Sequence, residues 1–273
     1  MSDAGDEPFW RRLFAPGSFE WAFKMRAGDA RSFFAPADPD GRLLRERAER
    51  LDRHPERYAG STEEGRPLIA EMWKLAAGWG QVDAPGDGDA GIHALSRQWE
   101  PDLLVMDHAH SSMVAGAVCF PSSWSLRHAL GKPVEEIHAF VPQLNPQIGE
   151  RIRRFLASLS PGKSFRRENW GLTRSGEYDY HPDLGRRRLD ESVGLDEVFL
   201  RVEHQLFTGI PGGVLMGLRI EVCPLLELSE DREVWSCLSE KLRTMPDDVA
   251  GYKGIAAAQR AIVAQMEETG KLS

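Results

Sequence analysis

Alternation of apolar and polar positions is clearest over residues 198–222. Val198, Leu200, Val202 and Leu206 fall on one side of an extended chain, and Arg201, Glu203 and Gln205 fall on the other. After Thr208-Gly209-Ile210-Pro211-Gly212-Gly213 the alternation resumes with Val214, Met216, Leu218, Ile220 and Val222. Period-two patterning on both sides of a Gly/Pro segment predicts an antiparallel hairpin with one buried face. His204 is the exception, a polar residue on the apolar side.

Helical spacing dominates elsewhere. Leu43 to Tyr58 predicts a charged helix with Leu44, Ala48 and Leu51 on one face. Ser61-Thr62-Glu63-Glu64 resembles a helix start, and Leu68, Ile69, Met72 and Leu75 continue at helical spacing. Val82 to Gly91 reads as a solvated, turn-rich loop. Leu103 to Met106 and Met113 to Phe120 are short apolar runs suited to buried strands. Arg151 to Leu159, the stretch around Val234, Trp235, Leu238 and Leu242, and Ala256 to Glu268 predict further helices. Residues 1–41 are rich in Pro, Gly, Asp and aromatics and read as an irregular N-terminal arm laid over a single domain spanning 1–273. Helices, strands, a hairpin and helices again make an α+β layout around an antiparallel sheet.

Composition narrows the function classes. The chain has 273 residues, 41% hydrophobic and 28% charged, enough for a sizeable core. A net charge of −8 gives no electrostatic reason to expect a nucleic-acid partner. The absence of a long apolar run argues against a membrane span, and the acidic start against a secretory signal, so a cytoplasmic protein is expected. Three widely spaced cysteines, Cys119, Cys223 and Cys237, make neither a disulfide framework nor a cluster site.

Several segments together carry a resemblance. They are Cys119-Phe120-Pro121-Ser122-Ser123-Trp124, Gly131-Lys132, Ile137-His138-Ala139-Phe140-Val141-Pro142, Asn169-Trp170, Leu200-Arg201-Val202-Glu203-His204-Gln205 and Tyr252-Lys253-Gly254. In this order they resemble the haem-dependent oxidative N-demethylase α-subunit family. The resemblance implies a PAS-like antiparallel sheet cupping one haem b, flanked by N- and C-terminal helical extensions. It implies oxidation of a small secondary amine such as dimethylamine, using O2 and NADPH. Electrons would come from a separate reductase carrying FMN and a 2Fe-2S cluster, and a tetrahydrofolate-binding subunit would take up formaldehyde. The chain has no Gly-rich dinucleotide loop and no cysteine cluster, which fits a catalytic subunit reduced by a partner. A non-catalytic haem PAS gas-sensing or binding module, and a relative that has lost its haem, are the alternatives.

Candidate residues follow. His138 is the candidate iron ligand, because a neutral imidazole leaves the sixth position open for O2. A core histidine satisfied by a backbone carbonyl is its alternative. Cys119 is a rival ligand or a small buried residue. His204 is the candidate catalytic residue, placed near O2 if the apolar side of the hairpin lines the haem, where the family usually carries arginine. Its alternative is a histidine at the sheet edge. On that arrangement Arg201, Glu203 and Gln205 face away and pair with the N-terminal arm. Arg127 and Lys132 are candidates for the haem propionates, or ordinary surface charges. Trp124, Asn169 and Trp170 are candidate pocket walls or packing anchors. His108 and His110 lack a third ligand and read as an exposed turn.

Overall fold

The computed structural model describes residues 8–21, 23–83, 85 and 91–272. Seven strands form one sheet: β1 (Arg26–Ala27), β2 (Ala59–Ser61), β3 (Asp102–Asp107), β4 (Met113–Ala117), β5 (Ser164–Thr173), β6 (Phe199–Ile210) and β7 (Gly213–Pro224). Their order is β1-β5-β6-β7-β3-β4-β2, with every neighbour antiparallel. The α+β expectation stands.

The hairpin is tighter than its Gly/Pro segment suggests. Ile210 pairs directly with Gly213, so only Pro211 and Gly212 turn the chain. Gly212 has φ 82°, a left-handed value that a side chain tolerates poorly. This turn fixes the register, and the register corrects the expectation of one buried face. Glu203 lies opposite Ile220, Gln205 opposite Leu218 and Phe207 opposite Met216. Directly opposed residues project to the same side of a sheet. The apolar positions of β6 and those of β7 are therefore on opposite faces, and both faces are covered.

The face bearing Phe207, Met216 and Leu218 will be called the front. It packs against Leu126, Val134, Val141, Leu144, Ile148 and Ile152. The back bears Leu200, Val202, Leu206 and Leu215. Phe34, Met72 and Trp99 cover one end of it. Trp235, Leu238 and Ile262 cover the other.

Helices Gly65–Gly78, Glu150–Ser158, Arg232–Thr244 and Gln259–Leu272 match the periodic segments. The helix expected over 43–58 divides into Arg42–Arg53 and Pro55–Tyr58, because the Pro55 ring cannot continue a helix. Arg47 is fully buried there, ion-paired to Asp102 and donating to Ser96 O at 2.9 Å and Ala117 O at 3.2 Å. The N-terminal arm is only partly irregular. It holds the helices Phe9–Leu13 and Ala30–Phe34 and supplies edge strand β1. Residues 84 and 86–90 of the turn-rich loop lie outside the described residues. No helix among the described residues is long and apolar enough to cross a membrane.

Candidate functional site

A polar stripe runs across the front face at one end of the sheet. Arg167 opposes Gln205, Asn169 opposes Glu203 and Gly171 opposes Arg201. Glu203 accepts hydrogen bonds from Gln205 Nε2 at 2.9 Å and Asn169 Nδ2 at 3.4 Å. Arg201 is buried and donates to Phe120 O at 2.7 Å, Ser122 Oγ at 2.7 Å and Glu177 O at 3.4 Å. Two of the sequence segments singled out above therefore meet. The stretch Cys119–Trp124 supplies the acceptors that hold Arg201, in place of the expected N-terminal arm.

Arg167 differs from its neighbours. Its Nε is buried without a hydrogen-bond partner, and no carboxylate lies within ion-pair distance of it among the described residues. Burial holds its guanidinium below the usual arginine range, an effect only partly offset by the more distant Glu203 and Glu168. An unpaired cation in such surroundings costs several kcal/mol of order-of-magnitude desolvation.

His138 opens a 3-10 turn, His138–Phe140, next to the short helix Val134–Ile137. Val134 and Ile137 belong to the front-face cluster. Its ring makes no hydrogen bond with a described residue. Burial, and then the charge of Arg167, lower its pKa, so the imidazole is neutral at pH 7. Phe140, two residues on, is 79% exposed. The loop is tied down beyond it. Trp21 Nε1 donates to Pro142 O at 2.9 Å, and Gln143 Nε2 reaches Asp248 at 3.0 Å.

Lys253 closes the stripe from the C-terminal side. Its Nζ donates to Trp170 O at 2.6 Å and lies 5.4 Å from the Trp21 ring centroid and 5.3 Å from that of Trp170. Burial pushes its pKa down to about 8, with Glu203 opposing the shift and Arg167 adding to it. Arg167 thus acts electrostatically on both His138 and Lys253. The sequence signals for this group were thin: Tyr252-Lys253-Gly254 as a weak motif, and Glu203 within the alternation. Nothing singled out Arg167 or Trp21.

His204 is not part of the stripe; it lies on the side of Leu200, Val202 and Leu206, as the alternation predicts, and away from the His138 segment. It opposes Glu168 on one side and Arg219 on the other, and so faces the back. Its Nε2 is 2.8 Å from Glu221 Oε2, and its ring centroid is 5.2 Å from that of Phe9. The alternation correctly set His204 apart from Arg201, Glu203 and Gln205, but it is the latter three that share the face covered by the His138 segment.

The other candidates are dispersed. Asn169 belongs to the stripe, whereas Trp170 points to the back, edge-on to Phe14 at 5.3 Å. Trp124 packs against the front-face cluster. Arg127 is 4.0 Å from Asp183, and Lys132 is 3.6 Å from Glu136. Cys119 is fully buried, and burial pushes its thiol up to about 12, which leaves no thiolate at neutral pH. Its amide donates to Asp102 at 2.7 Å, a structural contact. His110 is exposed, and no group of three or more His, Cys, Asp or Glu placed to hold a metal ion occurs among the described residues.

These residues fit a haem. Iron needs a neutral imidazole, and His138 offers one with no hydrogen-bonded competitor. A propionate needs a cation, and Arg167 lacks a partner. The porphyrin needs apolar cover, and beside His138 stand Ile137, partly buried, and Phe140, 79% exposed. The family model for haem-dependent oxidative N-demethylase, alpha subunit-like proteins matches residues 44–263, which includes every residue of this group except Trp21, and the chain belongs to that family.

Proposed function

We propose that this chain is the haem-carrying subunit of an oxidative N-demethylase acting on a small secondary amine. In the reading's simplest form dimethylamine, O2, NADPH and a proton give methylamine, formaldehyde, NADP+ and water. The haem supplies the oxygen-reducing chemistry, with electrons delivered by a separate reductase subunit bearing FMN and a 2Fe-2S centre. The observation that carries the reading is Arg167, a half-buried cation with no carboxylate partner among the described residues and an unpartnered Nε, whose charge is felt by His138 on one side and Lys253 on the other.

His138 would hold the iron through a ring nitrogen, and Arg167 would balance a propionate. In this reading the front face of β5–β7 would cup the group in a PAS-like arrangement. Lys253 reports what this environment does to an alkylammonium ion. Its own pKa falls to about 8, because burial and Arg167 disfavour the charged form. A substrate ammonium held beside it meets the same field and loses its proton more readily, which frees the nitrogen lone pair for oxidation of the adjacent carbon. Glu203, fixed by Asn169 and Gln205, limits the excess of positive charge. Trp21 and Trp170 keep water from the Lys253 ammonium.

The test is an absorption spectrum after haem reconstitution, followed by O2 consumption of the reduced protein with and without secondary amines. A Soret band that His138→Ala abolishes, and amine-stimulated O2 uptake, are expected. An unchanged spectrum in His138→Ala overturns the ligand assignment. A haem protein indifferent to amines is a sensor or carrier instead.

A further inference from the structure

A pocket of about 320 Å3 opens along the outer edge of β5, beyond the two residues that pair with β1. The N-terminal arm forms one wall, residues Arg167–Trp170 the floor, and Lys241 and Lys253 the far side. Its charge is unbalanced. Arg26 is paired with Glu168 at 2.5 Å and Lys24 lies 3.6 Å from Glu20. Lys241, Lys253 and Arg167 have no carboxylate within ion-pair distance among the described residues. Burial, and then the charge of Lys24, lower the pKa of Lys241, with Glu20 of the same pocket opposing the shift. Cations crowded together in a chain of net charge −8 mark a place where an anion would relieve repulsion.

The remaining wall is aromatic. Phe19 lies edge-on to Trp21 at 5.5 Å and to Trp170 at 6.5 Å between ring centroids. A convergence of a few polar groups and aromatic rings in a concave site is the usual make-up of a small-molecule pocket. We propose that this pocket binds a phosphate-bearing molecule with a flat aromatic ring. The phosphate meets Lys24 and Lys241, and the ring lies against Phe19, Trp21 and Trp170. The pocket shares Trp21, Arg167, Asn169, Trp170 and Lys253 with the candidate haem site, whereas Phe19, Lys24 and Lys241 lie outside that site.

The test is calorimetric titration with AMP, adenosine and inorganic phosphate, with and without bound haem. Lys24→Ala/Lys241→Ala is the diagnostic variant. The Lys24 side chain is 73% exposed, and Lys241 Nζ makes one hydrogen bond, to Gly17 O at 3.4 Å, so the fold does not rest on either. AMP is expected to bind more tightly than either of its parts, and less tightly at high salt. The double variant should weaken AMP by about tenfold or more, as loss of charge-assisted contacts does, with thermal unfolding and the haem spectrum unchanged. AMP binding no tighter than inorganic phosphate, or equal affinity in the variant, overturns the proposal. Loss of the haem spectrum together with AMP binding also overturns it, because the lysines then serve the haem carboxylates.

Discussion

The same three strands carry a polar row on each face, and the rows are finished differently. On the back, Glu168 is held by Arg26, His204 by Glu221, and Arg219 by Glu100 together with Phe33 O at 2.8 Å and Ala35 O at 2.5 Å. On the front, Arg201 and Glu203 are satisfied but Arg167 is left over. A saturated row is architecture, since each charge already has its counterpart. A row with one surplus, half-buried cation gains stability from whatever anion binds it. The contrast separates residues that hold the sheet from residues that wait for a ligand.

The largest expected effect lies on the back. Arg219→Ala leaves Glu100, with a side chain only 1% exposed, without its cation. A loss of about 3 kcal/mol in a urea titration is expected, with haem absorbance per folded molecule unchanged. A loss under about 0.5 kcal/mol, the scale of an ordinary surface change, would show that the back row is not saturated as described.

Next comes a pH effect at Lys253. The unfolded chain binds this proton up to the ordinary lysine value of 10.5, whereas the folded chain releases it at about 8. Between those values the unfolded state carries more protons, so stability rises with pH across the window and is lost as pH falls through it. The rise should be on the order of 2 kcal/mol, and Lys253→Met should flatten it. An identical slope in the variant would remove Lys253 from the argument.

Arg167→Met should leave the haem-free protein as stable as before, or about 1 kcal/mol more stable, because a half-buried charge with no carboxylate partner is removed. Haem affinity should fall, and the pKa of His138 should rise, since Arg167 lowers it. NMR titration of His138 reads the second effect independently of haem. A destabilised apoprotein would mean that Arg167 has a partner after all.

The smallest effect is expected at His204. Its hydrogen bond with Glu221 joins side chains 28% and 46% exposed, where such polar contacts contribute about 0.2–1 kcal/mol. His204→Ala should leave the Soret band in place. A shifted band would reverse the assignment of faces.

Much of the frame was legible in the sequence, because β6, β7 and four of the helices have strong periodicity. The front site was not, for three physical reasons. Ser164–Thr173 carries polar and charged residues on both sides, so β5 has no period-two signal, although it supplies Arg167 and Asn169. A hydrophobic pattern shows which residues of each strand belong together, but not which set of one strand meets which set of the next. That depends on the turn, and a six-residue Gly/Pro segment conceals that only Pro211 and Gly212 turn. Burial of a charge is decided by distant partners, so Arg47 looks like any arginine on a charged helix until Asp102 is brought beneath it.

The turn at Pro211-Gly212 also bears on how relatives of this chain can vary. Side chains alternate across the sheet, so one residue inserted there and absorbed into the pairing of β7 would exchange its two faces. Met216, Leu218 and Ile220 would leave the front, and Arg219 and Glu221 would arrive beside Arg167. A substitution at the tip alters a bend, whereas a change of length rewrites the front face of the sheet. Descent should therefore tolerate new residues at these two positions far more readily than a gap or an insertion.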